Sequence, residues 1–300
     1  MLLRVPSDDP IFTLYFLHLT SMIIGKEADI PPKTHVLSSN TGSMEVLKIA
    51  AHWMDNCVKS HQKCNQDAET NKLPARVLDL GIPGSSKVSL HITTGDSPKA
   101  PYVTLSHCWG KIPILRLQQE NLETFKTSIS CEALSKTFLD AIEVVRFLGL
   151  RFLWIDSLCI IQDSPEDWAM QSAVMGEIYR NSVCTIAATA AIDGRFGCFF
   201  ARNSRLTEPC KVVVSTLGIH GDLSSISNDL CVIVPQYLWQ NDVDKAPLNK
   251  RAWVLQERIL SPRTIHFGRN QLLWECREHV SIALYLISML GFIYYLLPEG

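Results

Sequence analysis

The residues best equipped for chemistry are Asp156, Ser106 and His107, which lie where short apolar runs end. Arg151-Phe152-Leu153-Trp154-Ile155 is apolar and aromatic, the pattern of a buried strand, and Asp156 follows it directly. A second run, Tyr102 to Ser106, leads through His107 into Cys108-Trp109-Gly110, where the glycine permits a tight turn. In open α/β sheets, ligands bind at the carboxyl ends of strands. Ser106, His107, Trp109 and Asp156 therefore form a candidate ligand-binding set. Trp109 would supply a stacking surface, and Asp156 would accept from a hydroxyl or a ribose. The alternative is structural: Asp156 caps a loop, backbone satisfies His107, and Trp109 is core. A Ser/His/Asp hydrolase is disfavoured, because adjacent residues on a strand point to opposite faces and no G-x-S-x-G elbow is present. No G-x-G-x-x-G or Walker-type loop occurs either, which argues against a dehydrogenase or an NTPase.

A second set is Cys57, His61 and Cys64, spaced i, i+4, i+7 on one face of an expected helix. Thiolate and imidazole suit zinc, but a structural site takes four ligands. The fourth would have to come from elsewhere, for example His52 or Cys108. Without it the three are free side chains on a half-buried helix face, and no metal is assigned. The ten cysteines of the 300-residue chain have no regular spacing. They read as reduced, mostly buried thiols of an intracellular protein rather than a disulfide framework.

These residues need a scaffold, and the composition allows one. The chain is 47% hydrophobic and 19% charged, enough apolar residues for a core and too ordered a balance for general disorder. A net charge of −2 and the lack of a Lys/Arg run argue against a nucleic-acid partner. Tyr102 to Ser106, Arg151 to Ile155 and Val183 to Ala188 are predicted strands. Between them, Ser135 caps a helix from Lys136 to Leu148 that Gly149 ends. Ser164-Pro165-Glu166-Asp167 opens a second helix, to about Tyr179, with Val174, Met175 and Ile178 inward. Crossovers of this length suit parallel strands. Upstream, Met44 to about Cys64 reads as helix, and Arg76 to Asp79 and Lys87 to Thr93 as short strands. Downstream, Lys211 to Ser215 and Leu230 to Pro235 read as strands of an insertion, and Arg251 to Leu260 as helix. Arg263 to Phe267 and Gln271 to Glu275 read as a hairpin.

Three blocks in this order carry a family resemblance: Y-V-T-L-S-H-C-W-G at Tyr102 to Gly110, L-W-I-D-S-L-C-I-I-Q-D at Leu153 to Asp163, and R-A-W-V-L-Q-E-R-I-L-S-P-R at Arg251 to Arg263. With W-M-D-N-C-V-K-S-H-Q-K-C at Trp53 to Cys64 and P-A-R-V-L-D at Pro74 to Asp79, they resemble the fungal heterokaryon incompatibility (HET) domain over residues 50–276. The resemblance implies a self/non-self recognition protein that triggers growth arrest or cell death. It would act in the cytoplasm through self-association or a sensor protein, with no cofactor required. The domain plan that follows is a lead-in at 1–45, a helix and strand extension at 46–98, the HET domain at 99–276 and an apolar tail at 277–300.

The order of elements is similar, more distantly, to the flavodoxin-like Toll/interleukin-receptor (TIR) fold. That implies an α/β fold with a parallel-sheet core and helices on both faces, plus the β-rich insertion and the hairpin. TIR domains that cleave NAD carry their catalytic glutamate in a W-C-L-x-E pattern. Here Trp253-Val254-Leu255-Gln256-Glu257 gives W-V-L-Q-E, so the resemblance implies Glu257 as catalytic and NAD as a substrate. The competing role for Glu257 is an ion pair with Arg251, Arg258 or Arg263. Two apolar runs complete the reading. Ile11 to Ile24 is too short to span a bilayer, whereas Val280 to Leu297 is uncharged and just long enough. Membrane association is expected only through the latter. Its alternatives are a buried helix or a truncated, inactive relative, since HET proteins usually continue here with polar sequence.

Overall fold

Alternating strand and helix segments build one mixed sheet in the computed structural model, and its carboxyl edge gathers the candidate residues. The structure describes residues 38–66, 72–82, 84–95, 99–202 and 238–282, plus strand backbone at 2–4, 22–26, 210–216 and 227–235. In chain order the first elements are β1 (Leu2–Arg4), β2 (Met22–Lys26), α1 (Met44–Ser60), β3 (Arg76–Asp79) and β4 (Ser89–Ile92). The central unit is β5 (Tyr102–Ser106), α2 (Leu122–Thr127), α3 (Lys136–Phe147), β6 (Phe152–Trp154), α4 (Asp156–Cys159), α5 (Pro165–Asn181) and β7 (Cys184–Ala187). After it come β8 (Cys210–Thr216), β9 (Ser227–Pro235), α6 (Ala252–Leu260), β10 (Arg263–Phe267), β11 (Leu272–Cys276) and β12 (Val280–Ile282).

Eight strands form the main sheet, in the order β12-β11-β10-β7-β5-β6-β3-β4. The inner four, β10, β7, β5 and β6, are parallel. Every residue of β5, β6 and β7 is buried, as expected of parallel strands covered on both faces. The two flanks are antiparallel: β3 pairs with β6 and β4, and β11 pairs with β10 and β12. The expected parallel core is therefore correct at its centre and too narrow. The upstream strands, expected in a separate extension, and the downstream hairpin both extend the same sheet. The insertion strands β8 and β9 pair instead with β1 and β2 in a separate four-stranded antiparallel sheet.

Side chains of β5 alternate between two helical layers. The Tyr102 hydroxyl donates to the Ile178 carbonyl of α5 at 2.6 Å, and Ser106 reaches α6. His107, one residue on, meets Phe138 of α3 edge-on at 5.0 Å. From β5 the chain crosses to β6 through α3, then back past β5 to β7 through α5. Right-handed crossovers in opposite directions put α3 and α5 on opposite faces.

Local signals explain the helix ends. Ser135 and Ser164 accept from the N–H groups of Phe138 and Asp167, and Pro165 occupies the first turn of α5. Gly149, after α3, has φ 73°, a conformation that glycine adopts without a Cβ clash. On α5, Met175 and Ile178 are buried, but Val174 is 40% exposed, contrary to the inward position expected for it. Gly176 faces α6, and the ends of the Gln256 and Leu260 side chains lie where a Cβ would project. Among the described residues, no helix is long and apolar enough to cross a membrane. Most of the two apolar runs, Ile11 to Ile24 and Val280 to Leu297, lies outside the described residues, as does the placement of Pro83 between β3 and β4.

Candidate functional site

Strand order reverses between β5 and β7, and the loops that follow the neighbouring strands β5 and β6 bring the candidate residues to one carboxyl edge. All five residues singled out for binding or catalysis gather at this edge. The Asp156 carboxylate accepts from Trp109 Nε1 at 2.8 Å and from the Ser157 N–H at 2.7 Å, and lies 3.0 Å from His107 Nε2. The Ser106 hydroxyl donates to the Glu257 carboxylate. Ser106 and His107 thus diverge to different partners, as strand alternation requires, and no Ser/His pair forms. Gly110 has φ 70°, and a Cβ there would lie 2.3 Å from the Asp193 Cβ, so the loop that aims Trp109 depends on glycine.

Asp156 and Glu257 line the same cleft, which is partly open to solvent. Its walls include Trp109, Trp168 and Trp253, and its polar lining includes Arg251, Gln162 and Ser172. Trp168 and Trp253 are about half exposed, at 49% and 51%. Arg251 donates to the carbonyl of His107, tying the start of α6 to the end of β5. Gln162 Nε2 donates to the carbonyls of Asp156 and Ile160, holding the turn after β6. Tyr179 of α5 is fully buried, donates to the Leu105 carbonyl at 3.3 Å, and stands close enough to Glu257 for the carboxylate to disfavour its ionisation further.

The two carboxylates are poised differently. Burial raises the Glu257 carboxyl above its ordinary range; the Ser106 hydrogen bond opposes this, and Asp156 adds repulsion. Burial would also raise Asp156, but the attraction and hydrogen bonds of His107, with Trp109, outweigh it and hold the group below its ordinary range. Among the described residues no arginine forms an ion pair with Glu257, although the charge of Arg251, across the same cleft, also opposes the rise. Arg258 pairs with Glu275 and Asp244, while Arg263 bonds Cys57, Asn65 and Val183. Buried His107 Nδ1 finds no hydrogen-bond partner among the described residues.

Trp168, Arg251 and Trp253 belong to the cleft but were absent from the sequence-derived set. A signal for them existed. Trp168, Ser172 and Met175 are spaced i, i+4, i+7, one face of α5, and Trp253 stands i−4 from Glu257 on α6.

The thiol set is placed differently from expectation. α1 ends at Ser60, so His61 is its C-cap and Cys64 lies in the following turn, not on the helix face. The three residues still converge, and Cys276 at the end of β11 joins them. Neither His52 nor Cys108 does; Cys108 packs against Ala187, Leu248 and Val254 under α6.

The fold and site define an α/β protein with a carboxylate-bearing, tryptophan-walled cleft at the carboxyl edge of its parallel strands. Residues 102–257, just over half of the chain, match the family described as Heterokaryon incompatibility protein (HET), so the chain belongs to that family. The match opens with β5 and closes at Glu257. No curated protein and no solved structure matches the chain.

Proposed function

We propose that this chain is an effector of heterokaryon incompatibility that arrests growth or kills the cell in fungal self/non-self recognition, and that its output is cleavage of NAD in the cleft. The observation that carries this reading is Glu257: a buried carboxylate, held by a serine rather than by a cation, beside a cleft walled by tryptophans. The parallel order β6-β5-β7-β10 supports kinship with the flavodoxin-like TIR fold, as does the position of W-V-L-Q-E on a helix over the strand edge.

The chemistry follows from the groups present. Tryptophan faces suit the flat rings of a dinucleotide, and Asp156 suits a ribose hydroxyl. The bond between ribose C1′ and the nicotinamide nitrogen breaks, and its electron pair leaves with nicotinamide. The ribose becomes an oxocarbenium-like cation beside Glu257. Water then bonds to C1′ and loses a proton, leaving ADP-ribose. A carboxylate raised by burial is poorly stabilised until a cation develops next to it, so it favours the transition state over the ground state. Assembly with itself or with a sensor protein in the cytoplasm would complete or open the cleft.

The test is expression of the full chain in fungal cells, with growth and cellular NAD measured together. Wild type should arrest growth as NAD falls, and Asp156→Asn and Glu257→Gln, at equal protein levels, should do neither. Arrest without NAD loss would keep the effector reading and remove the enzymatic one. No arrest by wild type under any assembly condition would favour an inactive relative.

A further inference from the structure

Away from the cleft and outside the family match lies a cluster that the proposed chemistry does not use. Cys57 sits in the last turn of α1, His61 caps that helix, Cys64 follows in the next turn, and Cys276 ends β11. One ligand atom from each lies within 4.8 Å of every other. We propose that Cys57, His61, Cys64 and Cys276 form a structural zinc site that fastens α1 to the β10–β11 hairpin.

The donor set and its geometry point to zinc. Three sulfurs and an imidazole nitrogen make one of the usual closed tetrahedral sets, and soft thiolates select zinc over magnesium or calcium. Zn–S bonds of about 2.3 Å place tetrahedral ligand atoms about 3.8 Å apart, so the four side chains need only a small contraction around an ion. His61 Nδ1 already lies 3.4 Å from the Cys276 sulfur. Cys57 and Cys64 are 1% and 3% exposed. Four protein ligands leave no position for substrate, which fits a structural role rather than a catalytic one.

The surroundings are arranged before any ion binds. The His61 N–H donates to the Cys57 carbonyl, and Asn65 Nδ2 donates to the carbonyls of Val58 and His61, fixing the turn that carries Cys64. The Cys276 N–H donates to the His279 carbonyl, fixing the turn into β12. Three thiolates around a divalent ion carry a net negative charge, and one cation answers it. Arg263 donates through Nε to the Cys57 sulfur at 3.2 Å while its other nitrogens are held by Asn65 and Val183. Such outer partners orient ligands and tune the site. A disulfide is the competing use of these thiols. It would consume two of the three and leave the third thiol and the imidazole without purpose, and the three cysteines are unbridged.

Ligands far apart in sequence make the site a clasp. The same two elements also pack Trp53 on Trp274, with ring centroids 6.3 Å apart. Binding energy of a preformed ion site becomes folding energy, so the clasp would stabilise the joint between the upstream helix and the sheet. It stands whether or not the cleft cleaves NAD.

The experiment uses the full chain purified under reducing conditions without added chelator. Metal analysis should find about one zinc per chain, as a closed structural site holds. Stripped protein titrated with Co²⁺ should develop the visible bands of a tetrahedral thiolate site together with sulfur-to-cobalt charge transfer. Cys64→Ala and Cys276→Ala should lose the metal, and Cys131→Ala, an exposed thiol elsewhere, should keep it. If the ligand variants fail to fold, X-ray absorption of the wild-type zinc protein should still give a shell of three sulfurs and one nitrogen. Reduced wild-type protein that takes up neither Zn²⁺ nor Co²⁺, a shell without sulfur, or a mapped disulfide among these residues would overturn the proposal.

Discussion

Two glutamates attached to helix α6 from opposite sides live in opposite electrostatic worlds. Glu257, on the helix, turns into the cleft and accepts from Ser106; among the described residues no salt bridge reaches it. Its neighbour Arg258 turns the other way and grips Glu275 of the hairpin at 2.6 and 3.1 Å, with His266 Nε2 at 3.1 Å from the same carboxylate. Burial works on both. At Glu275 it is overcome by His266 and Arg258, and the carboxyl is held at about 2. At Glu257 it prevails, and the carboxyl is raised. A carboxylate in an ion pair holds structure together. One at a cleft whose burial outweighs the Ser106 hydrogen bond and the charges of Arg251 and His107 is under-stabilised, which is what a developing cation can answer.

The largest effect is expected at Glu275. Glu275→Gln removes the charge that answers both Arg258 and His266, and should cost about 3 kcal/mol of stability, the range for opening a largely buried pair. Its pH dependence has a definite sign. The folded group lies below its unfolded value, so its contribution is present above the ordinary carboxylate range and is lost as pH falls towards 2. Urea unfolding of both proteins at several pH values checks this. Equal stability would show that the pair is idle.

Asp242 is also raised by burial, to about 6, yet lies outside the cleft. Its Oδ1 accepts from Asn270 at 3.2 Å, and its Oδ2 has no partner among the described residues. A carboxyl raised in the folded state ionises first in the unfolded chain. Stability is therefore fullest at low pH and falls as pH rises from about 4 through about 6. Asp242→Asn should stabilise the protein at pH 7 by about 2 kcal/mol, with the gain vanishing near pH 4, and should leave any cleft activity unchanged. Lost activity would mean that a raised carboxyl marks function wherever it lies.

A smaller effect is expected at Ser106. Ser106→Ala removes the hydroxyl that donates to Glu257, so the carboxyl should rise further and the pH profile of cleft activity should shift upward. Stability should change by about 1 kcal/mol, the scale of one hydrogen bond. An unmoved profile would show that Ser106 does not tune Glu257.

Much of this was legible in the sequence because local signals and global fold agree. Capping serines, Pro165 and Gly149 mark the crossover helices, and short apolar runs mark β5, β6 and β7. The strand-end rule alone puts Ser106, His107 and Asp156 at one edge. What the sequence hid is set by pairing at long range. Nothing local reveals that β3 joins β6, or that Cys276 completes the thiol set from the far end of the chain. The aromatic walls were hidden for another reason. Trp168 and Trp253 sit on helix faces whose neighbour is known only once α5 and α6 are packed together.

Nicotinamide release from NAD by the purified, assembled chain, wild type against Glu257→Gln, tests the role of Glu257 most directly. The substitution keeps size and the Ser106 contact but removes the charge. Wild type should release nicotinamide, and the variant should lose about 10²–10³-fold in rate, the usual effect of deleting one electrostatic contact to a transition state. Thermal stability should be unchanged or slightly higher, because a buried charge is gone, in contrast to the loss expected for Glu275→Gln. Equal release by both proteins, or none by assembled wild type, would contradict that role.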